Sequence, residues 1–315
     1  MVVLLAAVIA VASPSPCLSA SPAPVVSRAV PTPCPRVTKS LTVIGRVSTT
    51  GRKANLVGTS EAASEGTIGP EEIATRPILR PGEVLEAVPG LVISQHSGEG
   101  KANQYYLRGF QLDHGTDLES TIMGIPINLP THAHGQGYSD VNWIMPELVS
   151  DVTYKKGPYY ADQGDFSTAG SYNLSYRNTI EPTAELGTGA YGYNHAFIAA
   201  SPQAGSGNLL YAMEIGHDNG SFIQSDDYRK FTGLVRWSRS TANSDFNITG
   251  VGYSGAFDST DQIPERLVDD GTINRFGFVD PTDGGNTYRY SLSTQYEHTD
   301  AHGTTTFSAY GVYSF

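Results

Sequence analysis

The spacing of hydrophobic and polar positions changes character along the chain, and each change marks a different kind of segment. Val2 to Ala12 form an apolar run about as long as an export signal core and too short to cross a bilayer as a helix. Ser19, Ala20 and Ser21 supply small residues for cleavage, so 1–21 reads as signal-like. No Lys or Arg precedes the run, which leaves a buried N-terminal segment as the alternative. Prolines 22, 24, 31, 33 and 35 exclude a helix or central strand, and residues 22–66 read as a flexible tail carrying one β-branched run, Thr42 to Ile44. Regular structure is predicted from 67 to 178. One short helix starts near Pro70, with Glu71 and Glu72 in its first turn, and ends before Pro77. Another starts at Pro81 and stops at Pro89-Gly90. Strands follow at Leu91 to Ile93, Gln104 to Arg108, Thr121 to Met123 and Val152 to Lys155, which makes a small mixed α/β unit.

From 179 to 315 every second residue of strand-length segments is apolar or aromatic. The segments lie near Glu185–Gly192, His195–Ser201, Asn208–Gly216, Thr232–Ser240, Asp245–Ser254, Thr287–His298 and Thr304–Tyr313. Leu209, Tyr211, Met213 and Ile215 share one face, with Glu214 on the other. Tyr288, Tyr290, Leu292, Thr294 and Tyr296 form a second face, set against Arg289, Ser291, Ser293, Gln295 and Glu297. A soluble β-sandwich alternates in the same way. Tyrosine-rich outward faces and the polar excursion from 255 to 286 favour an antiparallel transmembrane β-barrel.

Composition narrows the function. A net charge of -11 with scattered Lys and Arg argues against a nucleic-acid surface. Cys17 and Cys34 both precede the folded region, so no disulfide is expected within it. The chain shows no nucleophile elbow, phosphate loop, dinucleotide fingerprint or His-Glu-x-x-His helix, so no enzyme and no cofactor are expected.

Four motifs occur in order: Val84-Leu85-Glu86-Ala87-Val88-Pro89-Gly90-Leu91-Val92, Leu107-Arg108-Gly109-Phe110, Met123-Gly124-Ile125-Pro126-Ile127-Asn128 and Lys156-Gly157-Pro158-Tyr159-Tyr160. Together they resemble the signature of TonB-dependent outer-membrane receptor plugs. The sequence departs from that pattern at Met123, where the family usually has Asp, and at Tyr172, where a glycine often stands. The resemblance implies a mixed α/β plug domain followed by an incomplete antiparallel barrel, about seven of the 22 strands such transporters use. It implies residence in the outer membrane of a Gram-negative bacterium, in contact with its lipid. It also implies TonB-dependent active uptake of a metal chelate or siderophore-like solute bound at the plug apices. Leu41, Thr42, Val43, Ile44 and Gly45 resemble a TonB box, the strand offered to a periplasmic TonB-type energy-coupling protein. A different class of reading is a fragment without transport activity, because seven strands alone leave an open edge in lipid.

Four of the eight histidines, His96, His114, His132 and His134, fall in loops that the resemblance places at the substrate-facing apices, with Tyr138 beside them. His132 and His134 are two apart, so an extended loop would put both on one side as metal ligands, with Asp113, Asp117 and Glu119 as further donors. Imidazole suits Zn, Cu or Ni, so a receptor for such an ion is an alternative function. The plainer reading is histidines that bond loop backbone or touch an organic substrate.

Overall fold

A computed structural model describes residues 59–95 and 98–315. The signal-like segment, most of the tail with Leu41 to Gly45, and His96 lie outside the described residues.

The mixed unit opens with β1 (Thr59–Ala62) and β2 (Glu65–Ile68), then α1 (Pro70–Ala74) and a 3-10 helix at Pro81–Ala87. Proline stands in the first turn of both helices, where its missing N–H costs nothing, and α1 ends at Thr75. β3 (Leu91–Ser94), β4 (Gln104–Leu107) and β5 (Phe110–Gln111) form a small antiparallel sheet. β6 (Leu118–Ile122), β7 (Ile125–Pro126), β8 (Val149–Lys156) and β9 (Gly170–Tyr176) join β1 and β2 in the order β1-β2-β8-β9-β6-β7, with β6 and β9 parallel. Two differences from the sequence reading stand out. β1 and the first part of β2 fall within residues 22–66, read as tail, because four polar-rich residues are too short to show periodicity. β9 was not expected, because Gly170-Ser171-Tyr172-Asn173 carries little apolar signal; parallel pairing with β6 and antiparallel pairing with β8 hold it.

The second part is an antiparallel sheet: β10 (Thr183–Thr188), β11 (Asn194–Ala200), the short β12 (Gln203–Ala204), β13 (Gly207–Asp218), β14 (Tyr228–Ser240), β15 (Ser244–Asp258), β16 (Gly284–Asp300) and β17 (Gly303–Ser314). Apart from the two-residue β12, these are the seven strands the alternation predicts, mostly extended by a few residues. Along β14, Phe231 and Val235 are exposed while Thr232, Leu234 and Arg236 are buried, and Tyr211, Met213 and Ile215 repeat the exposed face on β13. The inner face packs on the mixed unit, with Phe197, Leu210, Leu234 and Tyr253 in one core with Tyr105, Ile144 and Leu148. Burying each such side chain contributes roughly 1.5–3 kcal/mol.

Chain reversals alternate in length. Residues 241–243 and 301–302 make tight turns at one end, whereas 219–227 and 259–283 make long loops at the other, the latter carrying the five-residue helix Glu265–Asp269. The mixed unit is oriented against this axis. Met123 and Gly124 lie at the tight-turn end, where Gln295 donates to the carbonyl of Met123 and the Arg236 guanidinium lies 2.9 Å from its sulfur. Met123 (φ 51°) and Gly124 (φ 73°) form the two-residue turn between β6 and β7, a left-handed pair that Asp or Asn would occupy with less strain than Met.

Candidate functional site

At the opposite end, under the long loops, three segments of the mixed unit converge. Residues 112–117 turn between β5 and β6, residues 128–140 form a closed loop, and 98–103 lead into β4. The 128–140 loop is pinched shut where Leu129 N–H donates to Tyr138 O and Gly137 N–H to Leu129 O, both at 2.9 Å. Buried Asn128 sits under the pinch. Its Oδ1 accepts from Ser120 N–H at 2.6 Å, and its Nδ2 lies 2.9 Å from Gly137 O and 3.1 Å from both Gly115 O and Leu118 O. One carboxamide therefore ties both apical turns together. A polar residue between Ile127 and Leu129 was the available signal, and sequence reasoning assigned it no such role.

The histidines sit on this scaffold in distinct environments. His114 is buried, and its Nδ1 lies 3.0 Å from Asn103 O, so Nδ1 carries the proton and Nε2 turns towards Asp113, 3.8 Å away. His134 is partly exposed, with Nε2 at 3.2 Å from Asp113 Oδ2 and its ring centroid 4.5 Å from that of His114. His132 stacks on Tyr138, centroids 3.9 Å apart and planes at 11°, while its Nδ1 accepts from His134 N–H at 3.2 Å. Partial burial, and then the neighbouring His134, hold the His132 imidazole below its ordinary pKa.

The structure places His132 outside the group of donors with metal-ligand spacing that includes His134. His132 Nδ1 accepts from the His134 amide and its ring stacks on Tyr138, whereas the His134 ring faces Asp113 and His114. Among the described residues, the group with metal-ligand spacing is Asp113, His114 and His134, whose donor atoms all lie within 4.8 Å of one another. Asp117 and Glu119 are not part of it, and Glu119 instead accepts from Gly164 N–H at 3.4 Å.

Tyr138 is fixed from both sides, by the stack with His132 and by Ala102 N–H, which donates to its hydroxyl at 3.0 Å. Beside it lies a cavity of about 320 Å³ lined by His132, Tyr138, Asp140, Lys101, Phe257 and Asp283, between the closed loop and the long β15–β16 connection. Burial pushes the Asp140 carboxyl up to about 6, against the opposing pull of Asn142 N–H at 2.9 Å and of Arg289. The cavity offers imidazole, phenol, carboxylate and ammonium groups on a rigid wall, a surface suited to a polar or chelated solute.

A second polar cluster joins the two parts of the fold. Lys230 Nζ lies 2.8 Å from Glu214 Oε1, and both side chains are buried. Lys230 also donates to Asn142 O at 3.1 Å. His195 Nε2 lies 3.1 Å from Glu214 and 3.6 Å from Glu147 of the mixed unit.

A plug-like α/β unit under the long loops of a sheet with an apolar outer face is the architecture of a plugged outer-membrane barrel. Residues 59–171 match the family model of the TonB-dependent receptor plug domain. The chain carries that plug domain, followed by a seven-strand antiparallel sheet matching part of a receptor barrel. The ferric citrate transporter FecA in its unliganded form superposes with a TM-score of 0.63 at 16% identity, over 80% of this chain and 40% of that one. The copper transporter OprC superposes at 0.60 and 16% identity, over 81% and 38%. The siderophore receptor PirA from Pseudomonas aeruginosa does so at 0.55 and 16%, over 81% and 41%. The chain therefore spans about two fifths of the length of the structures it matches.

Proposed function

We propose that this chain provides the plug and seven barrel strands of a Gram-negative outer-membrane receptor, and that it takes part in TonB-dependent uptake of a metal chelate or siderophore-like solute. The observation that carries the proposal is the clustering of His114, His132, His134 and Tyr138 on the plug at the end where the strand connections are long. Outer-membrane barrels keep short turns on the periplasmic side and long loops outside, so this apex faces arriving solute. The exposed Tyr211, Ile215, Val235 and Leu292 then face lipid. The similar structures include copper, ferric citrate and siderophore transporters, which supports a metal-containing cargo.

Leu41 to Gly45 are a short β-branched run of sequence that follows a proline-rich stretch and precedes the plug, the kind of segment that strand addition to a TonB-type partner's sheet would use. Uptake by this route is driven from the inner membrane and uses no cofactor in the receptor. The test is deletion of Leu41 to Gly45 in the whole receptor in cells. Energised uptake should be lost while binding of solute at the cell surface persists. Uptake at the parental rate after the deletion would overturn the coupling assignment.

A further inference from the structure

We propose that Asp113, His114 and His134 form a binding site for a borderline divalent cation of the Zn, Cu or Ni class, and that His132 is not one of its ligands. Its role as a docking point for cargo rests on the uptake reading above, whereas the binding itself does not.

Three observations converge. The donor set comes first: two imidazoles and one carboxylate, with atoms within 4.8 Å of one another. Ligands about 2.1 Å from a tetrahedral ion stand about 3.4 Å apart. His134 Nε2 to Asp113 Oδ2 is 3.2 Å, and His114 Nε2 to Asp113 Oδ1 is 3.8 Å, so closure on an ion needs only small side-chain rotations.

Orientation is the second. Buried His114 uses Nδ1 to donate to Asn103 O, which fixes the tautomer and turns Nε2 towards the carboxylate. A metal-bound histidine characteristically gives its other N–H to a backbone carbonyl in this way. Rigidity of the support is the third. Tyr105 N–H donates to Asp113 O at 2.9 Å and Ser139 N–H to His114 O at 2.7 Å, so the two ligands of one turn and the loop bearing His134 are bound to the same frame. Three protein ligands leave a fourth position open. That suits an ion that arrives with a ligand of its own and must later leave. His132 is committed elsewhere, to its stack on Tyr138 and to the amide of His134.

The ions themselves are the probes. Calorimetric titration of the purified chain in detergent with Zn²⁺, Cu²⁺ and Ni²⁺ near neutral pH should show one equivalent bound. Binding should disappear near pH 5, where protonated imidazole cannot coordinate. His134→Ala and Asp113→Asn should each weaken binding by about tenfold or more, and His132→Ala by less than about twofold. Asp113 and His134 are partly exposed, and Asn tolerates the left-handed backbone of position 113 (φ 49°), so these variants keep the fold; near-parental thermal unfolding confirms it. Electron paramagnetic resonance of the Cu²⁺ complex should show two coupled nitrogens in the parent and one in His134→Ala. Parental affinity in both variants, or a loss in His132→Ala equal to that in His134→Ala, would overturn the site. A chain that binds none of the three ions, while the receptor still takes up a chelate in a Leu41–Gly45-dependent manner, refutes this inference and leaves the uptake reading standing. Ion binding without coupled uptake does the reverse.

Discussion

The carboxamide of Asn128 lies 2.9 Å from the carbonyl of Gly137 and fastens the histidine-bearing loop to the turn that carries His114. The same Nδ2 faces Gly115 O and Leu118 O, so its two hydrogens are shared among three buried carbonyls, of which Gly115 O also accepts from Leu118 N–H and Leu118 O from the Ser120 hydroxyl. Asn128→Ala leaves them and the Ser120 amide without this partner, at about 1–3 kcal/mol for each buried group that water does not reach. Asn128→Asp should be at least as damaging, because a carboxylate offers no donor and meets three carbonyl dipoles. Chemical denaturation followed by tryptophan fluorescence should give a loss of several kcal/mol for both, and parental stability in Asn128→Ala would refute the role.

Lys230 and Glu214 make the second prediction. Their 2.8 Å contact is buried on the inner face of the sheet, and Lys230 also reaches Asn142 O of the plug. Removing Lys230 leaves the buried Glu214 carboxylate with His195 as its remaining partner, so Lys230→Met should cost about 3 kcal/mol, the low end for breaking a buried pair. Lys230→Met combined with Glu214→Gln should recover part of that loss. A double-mutant cycle on unfolding midpoints gives the coupling, and strictly additive losses would refute it.

The strands were legible because their period is simple. Once the chain alternates, as from Tyr288 to Tyr296, only ends remain to be found, and Gly284–Asp300 differs from the predicted 287–298 by a few residues. β1 and β9 were not, since pairing with β2 and β6 rather than local pattern makes them strands. The candidate site was half legible. His114, His134 and Tyr138 come together, while His132 stacks on Tyr138 and bonds the His134 amide instead of joining Asp113, and spacing in the chain cannot report which ring packs where.

Asp140 predicts a pH dependence. Burial raises its folded carboxyl to about 6, above the roughly 3.9 of an unfolded chain, so the native state holds the proton longer. Stability from this group therefore falls as pH rises from about 4 to about 6, and the loss is complete above that window. Asp140→Asn should be more stable than the parent near pH 8 and equal to it near pH 4. Denaturation midpoints at the two pH values check this, and a difference of the same size at both would remove Asp140 as the cause.

The membrane reading makes the last prediction, at Leu292. It lies near the middle of β16, opposite Gly250 and Gly311, with 63% of its surface exposed. Neighbouring Ser293 on the inner face is buried. In a water-facing sheet, replacing an exposed leucine by arginine changes stability little, because both states hydrate the new charge. In a bilayer the guanidinium must enter hydrocarbon, at about 2–4 kcal/mol for a midplane position on the lipid face. Leu292→Arg in the whole receptor should therefore lower the fraction assembled into vesicles of phosphatidylcholine. Arginine at Glu297, on the opposite face and close to the tight-turn end, should have a much smaller effect through lipid. Heat-modifiable gel mobility reports the assembled fraction. Assembly of Leu292→Arg at the parental level would place this face of β16 out of the lipid and would count against a transmembrane wall.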